Sequence, residues 1–494
     1  MEESLNISRW RYYYTEHFVA LVKLAGPIML ATVSQGCLLL VTMIFSGRMN
    51  TDSVAGIALA CSILNISCVS LHMGLSTALD TLCSQAYGAG NYKSLGIWLQ
   101  RSIIIGTFVS LFIGIFWKFC IQSLLLNPLH IDIQVIQPAI IFLNILLTSI
   151  WPLMAIECYK RYLQTQSKLI PIVLSSLFGT LLNAFLCYML LYKFNNYSAL
   201  AEDSKIQIIS WSLSISYWII LVFMIIFSSC TRSNNEFDTW TPITVSNLTS
   251  GWIEYLQLGI PSAIHIVLEW SAFEVTLVFA SWMNSSIELA AQGILLNFCV
   301  FIIMFPLSIG FALSIRVGHL LGSNNGNAVN DTLLIALLTS LSVTLFIAFG
   351  IAFVPQLWVR LYVNNTTELY TKISHVSVIF GMYFIADALQ NVCMGALKGA
   401  GLQFIGAFGS LFGFWCIVLP LSYYLGFHGS IKCNGVCGLW SGFLYGIIPI
   451  AAVYLCVLCT RDWNKLAQDI VSTHVTSNAS EKSSELILQE EFIA

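Results

Sequence analysis

Apolar residues run along this chain in twelve long stretches separated by short polar breaks. They cover about 17–46, 53–84, 97–120, 133–157, 168–192, 207–229, 254–281, 287–320, 329–353, 372–397, 402–426 and 437–460. A membrane-crossing helix needs about 20 mostly apolar residues. Transmembrane β-strands would instead alternate over segments of about ten residues. The runs are continuous, so the pattern predicts an all-α polytopic membrane protein with twelve transmembrane helices. The second and eighth runs exceed the length a bilayer needs, and are expected to extend beyond it or bend. The first is too long for a cleaved signal peptide, carries Pro27 mid-run and lacks a small-x-small cleavage site. From about Gln468 the chain turns polar and acidic, and that tail is expected to be solvated and disordered.

Composition narrows the class further. Of 494 residues, 57% are hydrophobic and 9% charged, against about 25% charged in soluble proteins. A net charge of −3 gives no basic field, which excludes a nucleic-acid partner. The fifteen cysteines are scattered in apolar stretches and read as small buried hydrophobes. Cys433 and Cys437 are either a small disulfide loop or two thiols. With the N-terminus in the cytosol, fourteen of the 21 Lys and Arg lie inside and seven outside, which favours this orientation. The sequons at Asn196, Asn364 and Asn365 then fall outside.

The two halves resemble each other at one constant offset. Leu24 and Pro27 pair with Leu258 and Pro261, Met49-Asn50 with Met283-Asn284, and Gly88–Asn91 with Gly322–Asn325. Further along the offset grows slightly, pairing Arg161 and Gln166 with Lys398 and Gln403. Six spans per half give both copies the same orientation, so the repeat is parallel. The expected organisation is a cytosolic segment (1–16), a first six-helix bundle (17–229), a cytosolic linker (230–253), a second bundle (254–460) and a cytosolic polar tail (461–494), with a central cleft between the bundles.

Ionisable residues deep in a span are costly and point to function. Here they are Glu269 and Glu274 in span seven and Asp387 in span ten, all in the second half. The repeat partner of Glu269 is Gln35. On an ideal helix five residues turn about 140°, so Glu269 and Glu274 do not share a face. A kink near Pro261 or a broad cleft must reconcile them. His265 reads either as a satisfied core histidine or as a proton relay. Asp80 and Glu157 lie near the cytosolic ends of their spans and read as partners of nearby Arg and Lys. Trp270 beside Glu269, and Tyr383 one turn before Asp387, offer faces for an organic cation. Signatures of enzymes are missing: there is no HExxH, GxSxG, Walker A or spaced Cys/His set. The chain is expected not to be an enzyme and to hold no metal or cofactor.

GLSTALDTLCSQAYGAGN (Gly74–Asn91), RVGHLLG (Arg316–Gly322), RYLQTQ (Arg161–Gln166) and GALKGAG (Gly395–Gly401) together resemble the hallmarks of the multidrug and toxin extrusion (MATE) transporters. EWSAFE is most similar to their animal and plant branch. The resemblance implies a V-shaped cleft between two bundles and antiport of organic cations against protons. It implies proton- or cation-coupling roles for Glu269, Glu274 and Asp387, with Asp387 standing where the mammalian pattern has Glu. A fourth mammalian carboxylate corresponds to Asn297 once a one-residue insertion near Asn284–Ile287 is allowed. Gln35 and Asn65 match polar cleft positions of the first bundle. Substrate contacts are therefore expected at Gln35, Asn65, Trp270, Asn297 and Tyr383. The coupling ion is expected to be the proton, with sodium coupling or export of flavonoids and organic acids as alternatives. The expected setting is the plasma membrane, or a vesicular or vacuolar one, with the chain acting as a monomer.

The charge count makes a testable statement about topology. A C-terminal epitope should stain only after cells are permeabilised, whereas staining of intact cells would reverse the orientation.

Overall fold

The computed structural model describes residues 2–126, 132–194, 197–231, 238–283, 285–363, 368–429 and 433–473. Twelve of its helices are long and apolar enough to cross a membrane. They are α1 (Tyr14–Ser46), α2 (Thr51–Gly88), α3 (Ser94–Phe119), α4 (Ile133–Thr165), α5 (Ile170–Lys193), α6 (Glu202–Cys230), α7 (Asn247–Trp282), α8 (Ser286–Gly322), α9 (Asn327–Phe353), α10 (Glu368–Gly399), α11 (Gln403–His428) and α12 (Val436–Thr460). Each coincides with a stretch read from the sequence. The sequons at Asn196, Asn364 and Asn365 lie outside the described residues.

The over-long spans bend at equivalent places. α2 loosens into a π-helical turn at Asn65–Val69, and α8 breaks between Ile302 and Met304. Val69 and Ile303 are repeat partners, related by the same offset as Pro27 and Pro261. In contrast, α7 runs as one helix from Trp252 to Trp282 through Pro261.

The same helix neighbours recur in each half. α1 packs on α5, α2 and α3 on α4, and α6 on α4 and α5; α7 packs on α11, α8 and α9 on α10, and α12 on α10 and α11. The duplication is thus structural as well as sequential. Across the bundles, α2 crosses α8, flanked by α2 on α7 and α8 on α1. These crossings lie at the end that the Lys/Arg count assigns to the cytosol. Small residues let the backbones approach there. A side chain at Gly88 would meet the His319 backbone, and one at Gly322 the Gln85 backbone. Gly88 and Gly322 are repeat partners, as are Gln85 and His319, so the two contacts are images of each other. Gly74 lies equally close to Ala263.

Two connections carry detail that the sequence left open. Cys433 and Cys437 form a disulfide. The turn it closes is fixed to α8: Val436 donates its N–H to Glu288 Oε2 at 2.8 Å, and Glu288 also pairs with Lys372. Residues 463–473 are helical, so the segment read as a solvated tail begins with a docked helix. Asp462 Oδ1 caps it by accepting from the N–H groups of Asn464 and Lys465, and Trp463 and Ala467 are buried. Gly326, at the start of α9, lies against Trp463.

The glycine crossings should be intolerant of bulk. Gly88→Val and Gly322→Val should each lower stability by about 1–3 kcal/mol, as overpacking does. Gly293→Ala, where open space surrounds the position, is the tolerated control. Thermal unfolding of detergent-purified protein reads the difference, and equal behaviour of the three would contradict this packing.

Candidate functional site

Glu269 and Asp387 lie inside the second bundle, 5% and 0% exposed. Each has its own set of polar neighbours. Glu269 Oε2 is 3.5 Å from His265 Nε2, one turn earlier on α7. His265 Nδ1 in turn meets the Ser410 hydroxyl of α11. Asp387 accepts from the Tyr383 hydroxyl and from Asn391 Nδ2, both at 3.0 Å and both one turn away on α10. The spacing of four residues makes this possible, because i and i+4 side chains meet on one helix face. The helices of the two carboxylates meet through Phe273, one turn after Glu269; its ring stands edge-on to that of Tyr383 at 6.5 Å between centroids. Tyr383 is fully buried among Phe273, Phe380, Trp440 and Phe443. It therefore serves as the donor that orients Asp387, not as an open cation-binding face.

Glu274 belongs elsewhere. It is half-buried, and its carboxylate lies on the side of α7 that faces Ser62 on α2 of the opposite bundle. The 140° turn is thus resolved without a kink, since five residues of helix set the two side chains about 140° apart: Glu269 points into its own bundle and Glu274 across to the other. Trp270 is half-buried. Asn297 is exposed, and its amide turns back to the Gly293 carbonyl at 2.9 Å. Cys299, two positions on along α8, is buried.

The first bundle contains a closed ionic group. Lys160 Nζ is 2.5 Å from Glu157 Oε1, and Gln35 both donates to Glu157 Oε1 at 3.0 Å and accepts from Lys160 Nζ at 3.1 Å. Gln35 thus satisfies an ion pair within its own bundle instead of offering a free amide to the cleft. Asn65 begins the π-helical turn of α2 and is half-buried. Nearby, His72 Nε2 meets the Ser110 hydroxyl at 3.1 Å.

Towards the cytosol-assigned end, Arg161 Nη1 pairs with Asp80 Oδ2 at 3.1 Å, both side chains fully buried. The Arg161 guanidinium also lies 4.0 Å from the centroid of Phe311, on α8. Around this pair the bundles are stitched by neutral hydrogen bonds. Thr81 donates to the Lys398 carbonyl at 2.5 Å, Gln85 to the Gly399 carbonyl at 3.0 Å, Gln403 to Thr81 Oγ1 at 2.6 Å, and Tyr255 to the Leu75 carbonyl at 2.8 Å. His319 meets the Thr165 carbonyl at 2.9 Å. Among the described residues, no group of three or more His, Cys, Asp and Glu could hold a metal ion.

Comparison with known proteins agrees with this architecture. The MatE family profile matches residues 27–189 and again 261–424, two stretches that begin at the repeat partners Pro27 and Pro261. The chain is 26% identical to Multidrug and toxin extrusion protein 1 of Danio rerio, over 92% of this chain and 74% of that one. It is 29% identical to Protein DETOXIFICATION 9 of Arabidopsis thaliana, over 92% and 90%. Its fold matches the crystal structure of the eukaryotic MATE transporter AtDTX14 with a TM-score of 0.85 and 24% identity, over 93% of this chain and 99% of that one.

The placement of Gln35 changes what its substitution should do. Gln35→Ala leaves a buried ion pair short of a donor and an acceptor, and should cost about 1–3 kcal/mol of stability. Gln35→Glu, which sets a second carboxylate beside Glu157, should cost more. Thermal unfolding measures both. Unaltered stability with a changed substrate preference would return Gln35 to the cleft.

Proposed function

This chain belongs to the MatE family of multidrug and toxin extrusion transporters, and on that premise we propose that it exports organic cations in exchange for protons by alternating access. The observation that carries the proposal is the pair Glu269 and Asp387, buried together among neutral donors. Two carboxylates in an apolar interior need positive charge nearby. A proton or a bound cation supplies it, and the two ligands then compete for the same charge. A proton arriving from outside neutralises one carboxylate of the pair and releases the cation that its charge held. Loss of that proton to the cytosol restores the site for the next cation.

The geometry supports a finer division of labour than the sequence suggested. Glu269 and Asp387 form the coupling pair, with His265, Tyr383 and Asn391 holding them. Glu274, half-buried and facing Ser62, is an outlying carboxylate that attracts the cation before it reaches the pair. The bilayer is the plasma membrane on this reading, and one chain is the transporting unit.

Proteoliposomes loaded with ethidium, a fluorescent organic cation, test the proposal when proton and sodium gradients are imposed separately. Proton-driven transport should exceed sodium-driven transport, and the reverse would identify sodium as the coupling ion. Glu269→Gln and Asp387→Asn keep shape and hydrogen bonding but remove the charge. Each should lower proton-driven transport more than about tenfold, a loss of about 1.4 kcal/mol of transition-state stabilisation. Asp387→Glu should be far milder. Glu274→Gln should raise the half-saturating ethidium concentration with a smaller effect on coupling. Normal proton-driven transport by Asp387→Asn at normal protein level would refute the coupling pair.

A further inference from the structure

The glycine crossing of α2 and α8 carries a matched pair of hydrogen bonds, one given by each bundle. Gln85 Nε2, near the end of α2, donates to the Gly399 carbonyl of α10 at 3.0 Å. His319 Nε2, near the end of α8, lies 2.9 Å from the Thr165 carbonyl of α4. A carbonyl only accepts, so Nε2 carries a proton and donates it. Gln85 and His319 are repeat partners, and Thr165 and Gly399 are the last helical residues of the equivalent spans α4 and α10. The last four carbonyls of a helix have no partner within it. Each bundle thus caps one helix end of the other, at the cytosol-assigned side.

The two caps differ in one respect. An amide does not titrate near neutral pH, whereas an imidazole does. His319 is half-buried and stacks on Tyr87 of α2 at 4.9 Å between ring centroids, with Tyr92 edge-on to Tyr87 behind it. A second proton, on Nδ1, would place a full positive charge in this seam. The cations around it are of the same sign. Arg316 stands three residues earlier on α8, and i and i+3 side chains are helix neighbours. On the α4 side, Lys168 and Arg161 flank Thr165, and Arg161 is engaged with Asp80. Lys398 of α10 lies towards Phe311, two turns before His319. From α1 and α9 come Glu16, Asp331 and His17, the last bonded to Thr332 at 3.1 Å. Among the described residues, no Asp or Glu lies within ion-pair distance of His319 or Arg316.

We infer that His319 is a positioning residue for transport and a proton-sensitive latch: neutral, it holds the cytosol-assigned end closed together with Gln85, and a proton taken up by its ring favours opening. The inference rests on the alternating-access reading above and extends it to what regulates opening on that side. The Thr165 carbonyl accepts from either form of the ring, so the missing counter-charge decides the direction. A neutral imidazole is satisfied in the closed junction. An imidazolium is better met by water, which surrounds the ring once the bundles part. In water an imidazole takes its proton at about pH 6.5. Between about pH 7.5 and 5.5 the linkage therefore favours the open form by about tenfold.

Hydrogen exchange of backbone amides in residues 85–89 and 319–325 of the purified full chain tests the latch, with variants compared at the same pH. At about pH 7.5, His319→Leu and Gln85→Leu should exchange about two- to tenfold faster than wild type, the range of one lost neutral hydrogen bond. His319→Gln keeps a donor and should match wild type there. At about pH 5.5, wild type should exchange about tenfold faster than His319→Gln. Gln85→His, which makes both caps titratable, should loosen in acid more than wild type does, and it decides alone if His319→Gln does not fold. A constant ratio of wild type to His319→Gln at both pH values, or a His319→Gln as loose as His319→Leu, would overturn the latch.

Ethidium transport by proteoliposomes carries the test into function. The proton gradient is held constant while both compartments move from about pH 7.5 to 5.5. A larger cytosol-open fraction lowers the half-saturating ethidium concentration at that face. Wild type should match His319→Gln at the higher pH and need less ethidium than His319→Gln at the lower one. Equal values at both would overturn the role of the latch in transport. Absence of proton-driven ethidium transport by wild type would instead overturn the antiport reading, and the exchange data would still decide on the latch.

Discussion

A charge moved from water into an apolar interior costs several kcal/mol unless opposite charge or well-placed hydrogen bonds meet it there. Only 9% of this chain is charged, yet Asp80, Glu157, Lys160, Arg161, Glu269, Asp387 and Lys398 are all buried. The way each is compensated organises the molecule. Asp80 takes Arg161, and Glu157 takes Lys160 with Gln35 completing the set. These pairs link α2 to α4 and α1 to α4, so this polar group of the first bundle is internally neutral. In the second bundle Asp387 and Glu269 receive neutral donors or an imidazole within one turn. Hydrogen bonds lower the cost of a buried carboxylate but do not cancel its charge. Among the described residues, neither of these carboxylates has a Lys or Arg within ion-pair distance, in contrast to Asp80 and Glu157 of the first bundle.

Duplication makes this contrast sharp. Gln35 and Glu269 occupy equivalent positions on α1 and α7, and the helices around them have the same neighbours. One position carries an amide inside a finished ion pair, and the other a carboxylate with none. A shared scaffold thus supports a static polar group in one copy and a titratable one in the other. Likewise Arg161 and Lys398 are repeat partners by sequence offset, and both converge on Phe311. The cation has been kept in both copies, while its carboxylate has not: the repeat partner of Asp80 is Ser314.

How much of this could be read from the chain depends on the range of the interaction. Span positions follow from local apolarity, and all twelve were legible. So were the repeat and the burial of Glu269 and Asp387 deep in their spans. The i, i+4 partnerships of Glu269 with His265 and Asp387 with Tyr383 were visible as spacings, though the donor role of Tyr383 was not. Partners from distant helices were illegible. Gln35 meets Glu157 across 122 residues and Arg161 meets Asp80 across 81. No local pattern encodes such a meeting. Helix phase fixes burial just as finely. Asn297 and Cys299 differ by two residues, yet one is exposed and the other buried. The helix at 463–473 was obscured because its apolar face is narrow, and its burial depends on the start of α9.

The distribution of bond types also bears on how the molecule can move. The buried ion pairs named above lie within bundles. Across the bundles the close contacts are glycine crossings, hydrogen bonds to backbone carbonyls, and Arg161 resting on Phe311. A neutral hydrogen bond contributes about 0.5–1.5 kcal/mol net, because water replaces it when it breaks. Separating a fully buried ion pair would cost far more, since neither ion would keep its partner. An interface of the first kind can open and reseal, whereas bundles braced by the second kind keep their shape. The bends at Val69 and Ile303 reinforce the point. Inward of each bend, α2 and α8 cross at the interface; outward, Thr51–Leu64 packs on α4 and Ser286–Ile302 on α7 and α10. One helix thus serves the interface between the bundles with one half and its own bundle with the other, and its extra length is what makes both possible.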